Sequence, residues 1–119
     1  MSNQVDYFEI GAADAQAARA FWGGLFGWQV GAAQPAYAMV DVDKGGLWDT
    51  TDLGGQNWAI FYVHVDDVEQ SIARAQELGA TVAVPMIDNG RIQFAHLTDP
   101  AGNRFGVWRP LDENWAGST

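Results

Sequence analysis

Two ionisable side chains, Glu9 and His64, stand at matching positions of two similar segments, because residues 7–10 align with residues 62–65. Histidine exchanges protons near neutral pH, and a carboxylate beside it can complete an acid–base pair. Glu9 and His64 are therefore the candidate catalytic residues. Two simpler interpretations stay open: a hydrogen-bonded structural pair, or solvated residues at the rim of a cavity.

Metal binding is the second chemistry to consider. The chain has no cysteine and only two histidines, His64 and His96, so thiolate sites and cysteine nucleophiles are excluded. A site made of Glu9, His64 and His96 is conceivable, but a divalent metal needs several donors converging on one point. The chain also lacks a Ser-His-Asp order, a phosphate-binding glycine loop and a nucleotide fingerprint. We therefore expect no metal and no cofactor.

Aromatic side chains are the main candidates for ligand binding. Tyr7 and Tyr62 occupy equivalent positions and can hydrogen-bond to a ligand or stack on it. Trp48 and Trp108 can form an aromatic wall, and Arg104 can pair with an acidic group. The alternatives are that the two tyrosines merely line a cavity, that the two tryptophans belong to core or dimer packing, and that Arg104 faces solvent.

The composition of the chain limits its partners. Its 119 residues are 48% hydrophobic and carry a net charge of −9, which predicts a globular protein that repels nucleic acid and anionic membranes but attracts cations. No apolar run approaches the ~20 residues that cross a bilayer, and the N-terminus lacks the pattern of a secretory signal. We therefore expect a cytoplasmic protein whose partner is a small molecule.

The similar segments belong to two modules that each read strand, helix, glycine, strand. One such unit cannot bury its own sheet face, so we expect both modules to form a single domain over residues 1–119. The first module covers about 3–52, a linker about 50–57, and the second module about 58–110. Beyond residue 110, the tail has no readable pattern apart from Trp115.

Turn residues and periodicity predict the elements of each module. In the first module we expect strands at 5–10, 28–30, 37–42 and 47–48, a helix at 14–26 with Asp14 as N-cap, and a turn at 43–46 containing Gly45 and Gly46. In the second module we expect strands at 58–65, 81–87, 91–97 and 104–109, and a turn at 99–103. Pro85 should interrupt or end the strand at 81–87. Its helix should begin with a capping box at Asp66 and Glu69 and end at Gly79.

Alternation along the strands assigns each strand two faces. The apolar set should pack under the helices: Phe8, Ile10, Phe61, Val63, Val65, Phe105 and Val107. The opposite set mixes aromatic, charged and small residues: Val5, Tyr7, Glu9, Ile60, Tyr62, His64, Arg104, Gly106 and Trp108. A sheet face that bears such groups and lacks covering helices is typical of a ligand cup.

Several motifs carry a family resemblance that covers about residues 5–110. The chain resembles the vicinal oxygen chelate superfamily, whose fold consists of two modules. The first module is matched by residues 8–10 and 21–28. The second is matched by residues 65–68, 78–80 and 98–106, which include the Asp-Pro-Ala-Gly-Asn turn. That superfamily includes glyoxalase I, extradiol dioxygenases, fosfomycin-resistance enzymes and bleomycin-resistance proteins. The resemblance implies an α+β fold in which two βαβββ modules form an incomplete, cup-shaped mixed barrel, and it implies a homodimer.

The resemblance also implies where a metal would be held in related enzymes. Those positions fall on Val5, Ile60 and Gly106, with a fourth near Leu47, and none of these residues has a donor side chain. We therefore expect a metal-free member that binds a small aromatic or cationic molecule, as bleomycin-resistance proteins sequester a cationic drug. The alternatives are a metal-independent isomerase or lyase that uses Glu9 or His64 as base, and a module that binds a partner without a small ligand.

Overall fold

A computed structural model describes residues 3–31 and 36–111, and the predicted α+β class is confirmed there by two α-helices and seven strands. The tail with Trp115 lies outside these residues. The chain divides into two compact units. One is Tyr7–Ala59, and the other combines the residues up to Asp6 with those from Ile60 onward. Within the described ranges, no helix is long and apolar enough to span a membrane.

The elements of the first half of the chain follow in the order strand, helix, strand, strand. They are β1 (Gln4–Ala12), α1 (Ala15–Phe26), β2 (Tyr37–Val40) and β3 (Gly45–Asp49), followed by a short 3-10 helix (Thr51–Leu53). β3 lies between β2 and β1, antiparallel to β2 and parallel to β1. The predicted helix cap is confirmed, because the Asp14 side chain accepts a hydrogen bond from the Ala17 amide.

Two predictions for this half were wrong. Residues 28–30 form no strand but one isolated bridge between Val30 and Val40. The Arg19 guanidinium donates to the carbonyl oxygens of Val30 and Gly31, both at 2.7 Å. Gly45 and Gly46 are not a turn but the first residues of β3, and the chain turns earlier, where Asp41 and Val42 adopt positive φ. Both positions need glycine, because a Cβ atom would collide with the Phe8 ring at Gly45 and with the Tyr37 ring at Gly46.

The second half of the chain has the order strand, helix and three strands. The elements are β4 (Trp58–His64), α2 (Val68–Glu77), β5 (Thr81–Asp88), β6 (Ile92–Thr98) and β7 (Arg104–Pro110). β4 pairs in parallel with β7, and β7, β6 and β5 follow as antiparallel neighbours. Pro85 does not end β5. It is tolerated because β5 is an edge strand whose register shifts on both sides of Val84.

The helix faces of the strands form two apolar clusters, as the alternation predicted. Phe8 and Ile10 pack with Ala18 and Trp22 in one unit. In the other unit the cluster joins α2 to its sheet: Val63, Val65, Val68, Ile72, Phe105 and Val107. Phe61 departs from its predicted place under a helix, since it is 50% exposed.

The N-cap of α2 is Asp67 and not the predicted Asp66. The Asp67 carboxylate accepts from the Gln70 amide at 2.9 Å, which satisfies one of the free donors of the first helical turn. We expect Asp67→Ala to lower the free energy of unfolding by about 1 kcal/mol. Asp66→Ala, at the neighbouring exposed position, is the matched control and should change it by less than about 0.5 kcal/mol. Urea denaturation of both variants tests the assignment, which equal losses would contradict.

Candidate functional sites

A buried carboxylate is the centre of the polar face of the Tyr7–Ala59 unit. Glu9 is 2% exposed. Its Oε1 accepts from the Tyr37 hydroxyl and its Oε2 from the Trp58 indole N–H, both at 3.0 Å. Donors to both oxygens bond most strongly to the ionised form. This part of the protein is therefore built to hold a negative charge below its surface.

A second tyrosine extends this hydrogen-bonded chain. The Tyr7 and Tyr37 hydroxyl oxygens lie 2.8 Å apart, and since Tyr37 donates to Glu9, its oxygen can accept from Tyr7. Burial raises the pKa of Tyr7 well above its ordinary value, so its hydroxyl stays protonated. In this chain the Tyr7 hydroxyl can donate to the Tyr37 hydroxyl, and the Tyr37 hydroxyl donates to the Glu9 carboxylate.

The two rings that bond to Glu9 form, with a third ring that contacts both, a group named here the aromatic cage: Tyr37, Trp58 and Trp48. The Trp48 ring meets Trp58 edge to face, with centroids 5.7 Å apart, and meets Tyr37 at 6.2 Å. All three residues are half-buried, so each leaves part of its surface accessible. The aromatic cage therefore combines π faces with a fixed negative charge.

Two glycines make room for the cage. A Cβ atom on Gly46 would collide with the Tyr37 phenol, and one on Gly11 would collide with the Trp58 indole. Tyr37 and Trp58 were not predicted from the sequence as site residues. The signal that could have found them is a glycine within each strand, Gly11 in β1 and Gly46 in β3, because a strand glycine permits the close approach of a ring.

The predicted acid–base residue His64 has a different partner, Asp6, in the other unit. Its Nδ1 lies 2.9 Å from Asp6 Oδ2, while the Trp108 indole N–H donates to Asp6 Oδ1 at 2.9 Å. The His64 and Trp108 rings are 4.9 Å apart. Asp6 was missed because it lies on β1 far from His64 in sequence, where no local pattern indicates their contact.

The remaining candidates, two buried side chains and one half-buried side chain, form a group in the same unit. His96 is fully buried, and its Nε2 lies 2.6 Å from the Tyr62 hydroxyl oxygen. Arg104 Nη1 lies 3.0 Å from His96 Nδ1. A guanidinium can only donate, so Nδ1 accepts, and the ring proton of His96 is on Nε2. Tyr62 and Arg104, both predicted to bind ligand, are thus joined through His96.

Gly106 and Leu47, two of the positions at which the resemblance implies a metal ligand, offer no donor side chain. Gly106 has no side chain, and a Cβ atom there would lie 2.5 Å from two carbons of the Tyr62 ring. Leu47 is 4% exposed and packs in an apolar cluster with Ile10 and Val40. Across residues 3–31 and 36–111, no three histidine, aspartate or glutamate side chains are grouped so that they could hold an ion.

Comparison with known proteins identifies the type of domain. Residues 7–108 match the family model of the glyoxalase-like domain. No curated protein sequence matches the chain.

Solved structures with the same fold are distant in sequence. A glyoxalase/bleomycin resistance protein/dioxygenase superfamily member from Vibrio splendidus is 17% identical, with a TM-score of 0.62 over 92% of this chain and 100% of that one. A methylmalonyl-CoA epimerase variant from Streptomyces coelicolor, in complex with 2-nitronate-propionyl-CoA, is 15% identical, with a TM-score of 0.60 over 94% and 100%. The Mn(II)-bound glyoxalase from Novosphingobium aromaticivorans is 18% identical, with a TM-score of 0.61 over 91% of this chain and 39% of that one. At these identities the comparison shows the fold alone.

Proposed function

Because the chain belongs to the glyoxalase-like domain family, we propose that it binds a small organic cation in the aromatic cage without a metal ion. The observation that supports this most directly is the placement of Glu9. A carboxylate that is 2% exposed accepts bonds from two members of the cage, Tyr37 and Trp58. An organic cation in contact with these rings would also be attracted by the negative charge of the Glu9 carboxylate.

Both attractions favour a quaternary or protonated amine over a neutral molecule. A cation over an aromatic face gains about 2 kcal/mol where water is excluded. The negative carboxylate adds a Coulomb term that is stronger below the surface than in bulk water. The net charge of −9 would in addition raise the rate at which cations arrive. The ligand class proposed here is therefore a compact ammonium or a flat aromatic cation.

The metal-free part of the proposal rests on donor chemistry. Val5, Ile60 and Gly106 supply no oxygen or nitrogen from their side chains, and a divalent ion needs several such donors at one point. Binding without a metal matches sequestration, in which the ligand is held and released unchanged. A homodimer and a cytoplasmic location stay predictions.

Choline and its neutral isostere 3,3-dimethylbutan-1-ol test the proposal, because they have the same shape and differ in charge. We expect choline to change the tryptophan fluorescence saturably and to bind at least about tenfold more tightly than the alcohol. Metal analysis of the protein used in the titration should find no stoichiometric zinc, manganese, iron or nickel. Equal affinity for the two probes, or choline binding that requires an added metal, would contradict the proposal.

A further inference from the structure

The Asp6–His64 pair lies in the other unit from the aromatic cage and has the geometry of an oriented base. Both Asp6 oxygens accept hydrogen bonds, Oδ2 from His64 Nδ1 and Oδ1 from the Trp108 indole, each at 2.9 Å. A carboxylate can only accept, so the proton of this bond resides on His64 Nδ1. In neutral His64 the lone pair is therefore on Nε2.

His64 is partly exposed to solvent, and its ring is held by its neighbours. Its side chain is 16% exposed, and its ring lies against Trp108 at a tilt of 36°. Trp108 is 5% exposed, so it is a fixed surface. Position and tautomer, two requirements for a general base, are thus set by Trp108 and Asp6.

We propose that His64 is a general base that removes a proton from carbon in a flat, apolar carbon acid, with Asp6 as its positioning residue. Phe94, which pairs with Trp108 across β6 and β7 and is half-buried, gives this region a partly exposed aromatic ring that favours flat substrates. The inference is independent of cation binding, because it uses residues of the other unit and a different measurement.

The probe reaction is the ring opening of 5-nitrobenzisoxazole, which needs a base and no co-reactant. His64 Nε2 takes the proton from the ring carbon beside nitrogen. The C–H electron pair becomes the third bond of a nitrile, the N–O bond breaks, and its electron pair leaves on the phenolate oxygen. The imidazolium then returns its proton to water, so the base is regenerated.

His64→Gln should lower the rate of phenolate formation at least about tenfold, since a positioned base contributes about 10²–10⁴ to a natural reaction. Asp6→Asn should lower it several-fold, and the charge-matched Asp66→Asn, at an exposed position, should leave it unchanged. Circular dichroism checks that each variant folds. An unchanged rate in His64→Gln would overturn the proposal, as would a wild-type rate no higher than that of free imidazole at equal concentration.

A tautomer measurement on the wild type and on Asp6→Asn distinguishes positioning from a merely structural role, and its wild-type part requires no variant to fold. Long-range ¹H–¹⁵N NMR correlations of the wild-type protein should show the Nδ1–H form of His64. Asp6→Asn should give a mixture of tautomers, because an amide offers only one acceptor to the His64 and Trp108 donors. A wild-type His64 in the Nε2–H form would contradict the proposed role of Asp6 and the use of Nε2 as base.

Discussion

Replacing Glu9 by glutamine should weaken choline binding at least about tenfold and lower the free energy of unfolding by about 1–3 kcal/mol. The carboxylate accepts from Tyr37 at one oxygen and from Trp58 at the other. A glutamine has one oxygen and one NH2 group, so one of these donors would face another donor in a buried place. The loss of charge also removes the Coulomb attraction for the cation, whereas the side chain keeps its volume.

Glu69→Gln is the matched control for this variant. Glu69 is exposed on the first turn of α2, and its substitution changes the net charge of the protein by the same amount. Long-range steering should therefore fall equally in both variants, and only Glu9→Gln should lose affinity. Calorimetric titration with choline and thermal unfolding measure the two effects. If both variants lose affinity equally, the negative surface as a whole attracts the cation and the aromatic cage does not.

Gly106→Ala should destabilise the protein by about 3 kcal/mol, at the upper end of the usual effect of overpacking. Gly106 is buried on β7, and an added Cβ atom would lie 2.5 Å from two carbons of the Tyr62 ring. Tyr62 cannot easily move, since it is 3% exposed and its hydroxyl is 2.6 Å from the buried His96. We expect the melting temperature to fall by about 10 °C.

Gly24→Ala shows what the same added methyl group does where there is space. Gly24 lies within α1, and a Cβ atom built there meets nothing within 4 Å. Because alanine is the better helix former, this variant should be more stable than the wild type by up to about 1 kcal/mol. Opposite shifts of the two melting temperatures are expected. A Gly106→Ala variant as stable as the wild type would show that Tyr62 can leave its place.

Periodicity predicted the parts of the fold that depend on neighbours in sequence. The helix at 14–26 and its Asp14 cap are confirmed, because capping and the apolar stripe are local properties. Strand alternation correctly placed Ile10, Val65 and Val107 in apolar clusters, because side chains alternate strictly between the two faces of a sheet. The turn predicted at Gly45 and Gly46 was wrong. Glycine is needed at these two positions because a Cβ atom would collide with the ring of Phe8 or of Tyr37.

The sequence alone determined the α+β class and the family resemblance, and it predicted a polar face for β1, β4 and β7. All of these follow from residue type and short-range order. Only the tertiary structure decided the partners: Asp6 for His64, Tyr37 and Trp58 for Glu9, and Arg104 for His96. These contacts join residues far apart in the chain, and their geometry depends on strand register and on ring packing, which no local pattern encodes.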